Sequence, residues 1–344
     1  MEAVFKYELE VSELESIKRY CASVDYCSAE QFLGWTEMFY RSKICFFYLS
    51  DESGIKSFCQ INERLKSAQI QLGPVCCDKE VMVTSLNEII THYKKKGYFY
   101  LGVQMYYKSG FDTEYIEYYL NKKHNIKYIF DRDNTLSSLE INLEKSIEEI
   151  FLSFARNHKR EIIKGQKAGV IIDTIKNRTD LKNFTDIYSK MCDARNLSGD
   201  SFTSTDINEI SDYLNNNNRG QIIAIKDKDG VMIGGIIMIY QGITVRLFKG
   251  ATDPGRRDIP IFHMLIYEII KRSKEADFKY VDLWGYNHFV DQNDQVYNIN
   301  MFKKGFGGYY TFLAKKMNIN LIPLGYYIYI SLLFFRRVLT KIHL

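Results

Sequence analysis

Apolar residues alternate with polar ones, or gather in β-rich runs, at Ile44–Ser50, Ile55–Ile61 and Gln69–Leu72, and the first two runs flank the turn Asp51-Glu52-Ser53-Gly54. That pattern predicts a strand meander. Over residues 80–96 the spacing becomes helical and ends in Lys94-Lys95-Lys96 and Gly97, a cationic last turn with a glycine stop. Tyr98–Tyr106 reads as a further strand. The resulting order, β-β-β-α-β, then recurs. Gln221–Ile225, Val231–Tyr240 and Ile243–Gly250 are strand-like, with the turn Lys226-Asp227-Lys228-Asp229-Gly230 between the first two. A helix follows, with Pro260 near its first turn, Asp258 as a cap and Ile261, Met264, Leu265 and Ile269 on one face. Tyr280–Trp284 closes the second copy. Two copies of one supersecondary order predict an α/β fold with mixed sheets in two similar domains.

Helices are also expected at Val11–Tyr20 and Leu181–Asp193, and Ser28–Phe39 is read as a helical segment with Gln31 and Trp35 on one face. Between the copies, Ser146-Ile147-Glu148-Glu149 forms a capping box ahead of Ile150, Phe151 and Phe154, and it sets the domain boundary. The same helix is expected to run on into a basic stretch. There Arg156, Arg160, Lys164 and Lys167 share a face, either as a solvated surface or as a phosphate or RNA contact.

Composition narrows the setting. A chain of 344 residues exceeds what one core usually supports, so two domains are expected. Its 46 basic and 42 acidic residues leave +4 overall, so any nucleic-acid contact must be local. The 26 tyrosines and 22 phenylalanines suit core packing or a substrate groove. Seven cysteines without metal-type spacing and six scattered histidines predict no metal site and a reducing, cytoplasmic compartment. Met1–Glu10 lacks the pattern of a secretory signal. Asn318–Phe335 is nearly uncharged and ends at Arg336-Arg337, but Pro323, Gly325 and Ser331 weaken a membrane span. A buried C-terminal helix is the first reading of this segment, and a membrane-surface contact is the second.

The candidate chemistry centres on Asn298–Tyr310. Gly305, Gly307 and Gly308 permit positive φ or a ligand's close approach, while Lys303 and Lys304 add positive charge. Alone, the stretch favours a glycine-bulged hairpin with solvated lysines; after the second meander it becomes the candidate anion-binding end of that domain. A meander with a β-α crossover is the order of GNAT-type acyltransferases, whose crossover amides hold the acyl donor's pyrophosphate. Here the crossover reads Asp253-Pro254-Gly255-Arg256-Arg257-Asp258, without the paired-glycine turn expected for coenzyme A, and Arg256 and Arg257 offer side chains instead. No general base stands out. Asp282 ends a strand and reads equally as catalytic or structural, and Asp253 is similarly ambiguous. His263 reads as a satisfied core residue, whereas His288, after Trp284-Gly285, is better placed to meet substrate.

Gln31 with Trp35, Gly73-Pro74, the run Arg160–Val170, Gly250-Ala251, Asp282–Gly285 and Phe302–Gly308 together resemble the Fem-type (FemABX) aminoacyltransferases over essentially the whole chain. The last three carry the specificity. The resemblance implies two tandem GNAT-like domains, residues 1–145 with 317–344 and residues 146–316, the final helix packing back on the first. No long charged hairpin interrupts the second copy, as in compact members that use a nucleotide-linked muropeptide. The implied reaction moves an amino acid from aminoacyl-tRNA to an amine of a nucleotide- or lipid-linked muropeptide, with no cofactor. By position Lys303 matches the family's phosphate-contacting lysine and Arg195 a basic substrate-site residue. Gln31, Trp35, Lys249, Arg256, Arg257, His288, Lys304, Gly305 and Gly307 complete the expected substrate groove, with Lys303 as the catalytic candidate and Asp282 as a weak second one.

Two positions depart from the family. Met38 stands where a basic residue is expected, and Lys249 where tyrosine is commoner. These departures keep open an acetyl-coenzyme A-dependent N-acyltransferase acting on an amino sugar of a surface polysaccharide. A non-catalytic binding protein of the same fold is the third reading.

Overall fold

The computed structural model describes residues 1–39, 43–106, 113–124, 126–128, 137–195 and 204–342. The chain divides into two compact units, Met1–Leu136 with Phe312–Leu344, and Ser137–Thr311. The first opens with β1 (Glu2–Lys6), α1 (Val11–Ser23), α2 (Trp35–Phe39), β2 (Lys43–Asp51), β3 (Gly54–Arg64), β4 (Ser67–Gln71), α3 (Lys79–Lys95), β5 (Tyr100–Gln104), α4 (Thr113–Lys123) and β6 (Ile126–Tyr128). The second holds β7 (Ser137–Asn142), α5 (Ile147–Ser153), α6 (Arg156–Lys167), β8 (Ile171–Thr174), α7 (Arg178–Ala194), α8 (Ser204–Asn216), β9 (Gly220–Lys226) and β10 (Met232–Gln241). It continues with β11 (Thr244–Thr252), α9 (Ile261–Glu275), β12 (Tyr280–Asp282), α10 (Gln295–Lys304) and β13 (Tyr309–Phe312). The chain then returns to the first unit with β14 (Met317–Asn320) and α11 (Gly325–Ile342).

Each unit has one mixed sheet, ordered β1-β2-β3-β4-β5-β14-β6 in the first and β13-β7-β12-β11-β10-β9-β8 in the second. In both, an antiparallel meander is followed by a helical crossover to a parallel strand, β4 beside β5 and β11 beside β12. The fold is thus mixed α/β with the duplicated order. Helix α3 starts because the Asp78 carboxylate accepts the amides of Glu80 and Val81 at 2.8 and 2.9 Å, and its Met82, Leu86, Ile89 and Ile90 stripe enters the first core. In the second core, α9 contributes Ile261, Met264, Leu265, Ile266, Ile269 and Ile270. Helix α11 packs on the first unit: the Tyr326 and Tyr329 rings lie 5.4 and 5.3 Å from that of Tyr100, and Gln69 Nε2 donates to the Tyr329 hydroxyl at 3.0 Å.

Local differences from the sequence reading have local causes. Ser28–Phe39 is not one helix, because a 3-10 turn at Ala29–Gln31 is followed by Gly34 at φ +84° before α2 begins. The Ser146 capping box forms, with bonds of 3.2 and 2.9 Å, but its helix stops at Ser153. Phe154 and Ala155 are extended, and α6 starts anew without a side-chain cap. Strand β7 precedes Ser146 and pairs with β12 in the second sheet. Asn298–Lys304 belongs to a helix rather than a hairpin, with Asp294 accepting the Val296 amide at 2.8 Å as its cap. Asp258 does not cap α9; Pro260 stands at that position.

Candidate active site

In the second unit, β10 and β11 pair with one irregularity, Met238 facing Leu247 while Ile237 faces Lys249, which makes Phe248 the extra residue of a bulge. On the other side of β11, the parallel ladder with β12 covers only Thr244–Arg246 against Tyr280–Asp282. Strand β11 runs on to Thr252 while β12 stops, so the two part beyond Arg246.

The corner where β12 leaves is held from several sides. Asp282 is 1% exposed and accepts the Trp284 amide at 2.7 Å and the Ser138 hydroxyl from β7. Trp284 sits at φ +50°, a conformation that costs a bulky residue about 1–3 kcal/mol and persists only where its surroundings impose it. Lys303, at the end of α10, donates to the carbonyls of Trp284 and, at 2.7 Å, Gly285. Two of its three N–H groups are therefore engaged. Burial pushes the Lys303 ammonium down to about 8, against the pull of the Asp282 charge. Arg246, also 1% exposed, places its guanidinium carbon 4.1 Å from the centre of the Trp284 ring. Beyond the corner, His288 rests on Tyr286 and Tyr310, ring centres 4.7 and 5.0 Å away, and burial lowers its pKa. Asn300 ties this loop to α10 by donating to the Asn287 carbonyl at 2.7 Å.

The crossover from β11 to α9 borders a cavity of about 340 Å³ whose lining includes Arg195, Asp253, Arg256, Arg257, His263 and Phe302. Three cations expected from the sequence thus meet here. Arg256 bonds Asp227 at 2.5 Å and Asp258 at 3.2 Å, and its guanidinium holds both carboxyls below their usual range. Arg257 is exposed and has no hydrogen bond or ion pair among the described residues. The loop's amides are used internally: Gly255 donates to the Asp253 carboxylate at 2.9 Å, Arg256 to the Asp253 carbonyl at 3.1 Å and Ile261 to the Ile259 carbonyl at 2.9 Å. Pro260 has no N–H to offer. His263 packs like a core residue, 4.6 Å from the His158 ring and 4.9 Å from Phe302, but it is not satisfied. Its buried Nε2 has no hydrogen-bond partner among the described residues, and burial pushes its pKa to about 4.

The profile of an acetyltransferase (GNAT) domain matches residues 153–294, which include most of the cavity lining and the Trp284–Gly285 turn but not Phe302 or Lys303. The structure of FemX superimposes with a TM-score of 0.79 at 14% identity, covering 94% of this chain and 98% of that one. L-PGS from Bacillus licheniformis follows at 0.61 and 11%, covering 91% and 92%, and a tandem GNAT protein from the clavulanic acid biosynthesis pathway at 0.52 and 7%, covering 94% and 99%. The chain has the Fem-like tandem GNAT fold. Among curated proteins no sequence relative matches.

Within the Fem-like fold the remaining expected residues fall in three places. Gln31 and Trp35 lie inside the first unit. Gln31 is fully buried, its Nε2 donating to the Gln71 carbonyl and its Oε1 accepting the Gln60 amide, both at 2.7 Å. Trp35 is buried against Phe39. The glycines of α10 and its exit serve packing rather than an open groove. A Cβ on Gly305 would lie 2.1 Å from the His158 ring, and one on Gly308, at φ +84°, would lie 2.4 Å from the Glu140 carbonyl oxygen. A side chain at either position therefore disturbs the fold first. Gly307, at φ +73°, faces Ser153 at 3.3 Å. Lys249 is half-buried beside the bulge, and Lys304 is exposed.

On α6, Arg156, Arg160, Lys164 and Lys167 are exposed, while His158, Ile162 and Gly165 are buried. Cations in its first turn oppose the helix dipole and no acid there offsets them, so packing on α9 must hold this helix in place. Lys164 lies close enough to the crossover for its charge to help lower the Asp258 pKa. Sequence reading missed Arg246 and Ser138. Arg246 had a signal, a lone arginine in the apolar run Ile243–Phe248.

Proposed function

We propose that this chain transfers an aminoacyl group from aminoacyl-tRNA to an amine of a peptidoglycan precursor. The observation that carries the reading is the crossover loop. An acyl-coenzyme A donor calls for free amides at a helix start to hold its pyrophosphate. Here Asp253 takes two of them, Pro260 removes a third, and Asp253 and Asp258 add negative charge at the mouth. What is left for a phosphate is side-chain charge, from Arg257 and Arg195 at the cavity and the exposed strip on α6. That distribution suits a long phosphodiester backbone better than one compact pyrophosphate.

The chemistry needs positioning more than activation, because the donor is already an ester. The acceptor amine attacks the ester carbonyl, a C–N bond forms, the C–O bond to the terminal ribose breaks, and the amine's proton passes to the departing ribose hydroxyl. The β11–β12 ladder ends after Arg246, and the acyl end of the donor is assigned to that edge of the sheet. Lys303 and Asp282 fix the Trp284–Gly285 corner beside that edge. They are positioning residues, acting through the backbone of that corner.

Incubating the full chain with a mixed pool of radiolabelled aminoacyl-tRNA and a nucleotide-linked muropeptide tests the reading; label should appear in the acceptor. No transfer from any aminoacyl-tRNA would overturn it. The second reading, a coenzyme A-dependent N-acyltransferase acting on an amino sugar, is favoured by the parting of β11 and β12 within the GNAT-matched stretch. Saturable acetyl-coenzyme A binding by calorimetry would support that alternative.

A further inference from the structure

Helix α11 is anchored along one side only. Tyr326 and Tyr329 meet Tyr100, Gln69 bonds the Tyr329 hydroxyl, and the Tyr326 amide donates to Asn320 Oδ1 at 2.9 Å. Most of the rest of its described surface is apolar and solvent-exposed, with Ser331 the polar exception: Tyr327 is 55% exposed, Phe334 63%, and Ile328, Ile330 and Leu332 each more than a third. A contiguous face of this kind on a folded chain marks a binding surface.

Charge points to what covers it. From Gln295 to Leu344 the sequence has seven lysines and arginines and no aspartate or glutamate, although the whole chain carries only +4. The residues before Gln295 are therefore net acidic; of the seven cations, Lys303 and Lys304 belong to α10, and three lie on α11 itself. Arg336, Arg337 and Lys341 fall in the last turns of α11. Aromatic and aliphatic side chains along a helix that ends in cations fit an anionic lipid interface, where rings and aliphatic chains enter below the headgroups and cations meet them. An acidic protein surface would match the cations but not the breadth of open apolar side chain. Among the described residues no helix is long and apolar enough to cross a membrane.

We infer that α11 docks the chain on an anionic lipid bilayer, lying in the plane of the interface. Gln69, which holds Tyr329, also lines a cavity of about 220 Å³ at the ends of β4 and β5. Docking thus brings that cavity close to lipid, and if the aminoacyl-transfer reading holds, it favours an acceptor carried on a lipid. The docking itself does not depend on that reading.

Flotation of the full chain with vesicles of phosphatidylcholine alone, and of phosphatidylcholine with an equal share of phosphatidylglycerol, tests the inference. The chain should float with the anionic vesicles and lose binding as salt rises. In Ile330→Glu/Phe334→Glu the bound fraction should drop about tenfold. Both positions are exposed, so a thermal melt of the variant should match the parent. Equal flotation with both vesicle types, or none, overturns the inference whatever the variant does. Light scattering without lipid closes the remaining route: a dimer that the variant dissolves would assign the face to a second copy and also overturn it. Transfer to a soluble nucleotide-linked acceptor without lipid separates a failure here from a failure of the aminoacyl-transfer reading.

Discussion

The two crossovers of this molecule start from one supersecondary plan and end differently. In the first unit, β4 and β5 pair along the whole of Ser67–Gln71 and Tyr100–Gln104, and Gly73 extends the contact by donating to the Gln104 carbonyl at 3.0 Å. Gln31 plugs the end of β4, and α3 is capped by Asp78. In the second unit the ladder stops after three pairs, α9 starts without a side-chain cap, and three arginines line a cavity at the β11–α9 crossover. One copy of the plan keeps its ladder to the end and leaves a cavity of about 220 Å³. The other ends its parallel ladder early and keeps arginines around a cavity at the crossover, which is why the donor site is proposed there.

The comparison can be broken at the closed crossover with the largest effect. Gln31→Ala leaves the Gln60 amide and the Gln71 carbonyl without their buried partner, and should lower unfolding free energy by about 2–4 kcal/mol in denaturant titration. An unchanged midpoint would mean the plug is not structural. At the open crossover, Lys303→Met should lower kcat about a hundredfold, by letting the Trp284–Gly285 corner shift. Its pH signature is separate. Because the folded pKa lies near 8 and the unfolded value near 10.5, the unfolded chain binds the extra proton between those limits. Parent stability should therefore rise with pH across that window, and thermal melts of Lys303→Met should lack the rise.

Smaller changes sharpen the contrast. Arg257→Ala should raise the KM for aminoacyl-tRNA about tenfold and flatten its salt dependence, since an exposed cation acts through phosphate charge. Unaltered salt dependence would remove Arg257 from the donor path. Asp258→Asn releases Arg256 from one exposed partner and should lower the same KM only about twofold, as expected for a surface pair. A rise instead would show that Asp258 orients Arg256 rather than restraining it.

Much of the fold was legible because periodicity reports burial: the two meanders, α3, α7, α9 and the Ser146 capping box stand where apolar spacing and cap chemistry put them. Short pieces without their own signal were not legible. β1 and β14 derive their identity from neighbours far along the chain, and α10 carries asparagines that weaken its helical pattern. The site was legible as a composition and less so as an arrangement. Arg195, Arg256 and Arg257 line one cavity, but nothing in the local sequence says that the Gln31 amide faces inward, that Lys303 reaches across to two carbonyls, or that Gly305 exists to admit a histidine ring. Those facts depend on which strand lies next to which.

Strand β14 has a consequence for the order of assembly. It sits between β5 and β6, yet it leaves the ribosome about two hundred residues after β5, a loop closure that must wait for nearly the whole chain. The second unit is contiguous and can complete its sheet first. Until Met317–Asn320 arrives, β5 and β6 expose unpaired edges, so the first unit passes through the aggregation-prone stage of folding later and for longer than the second.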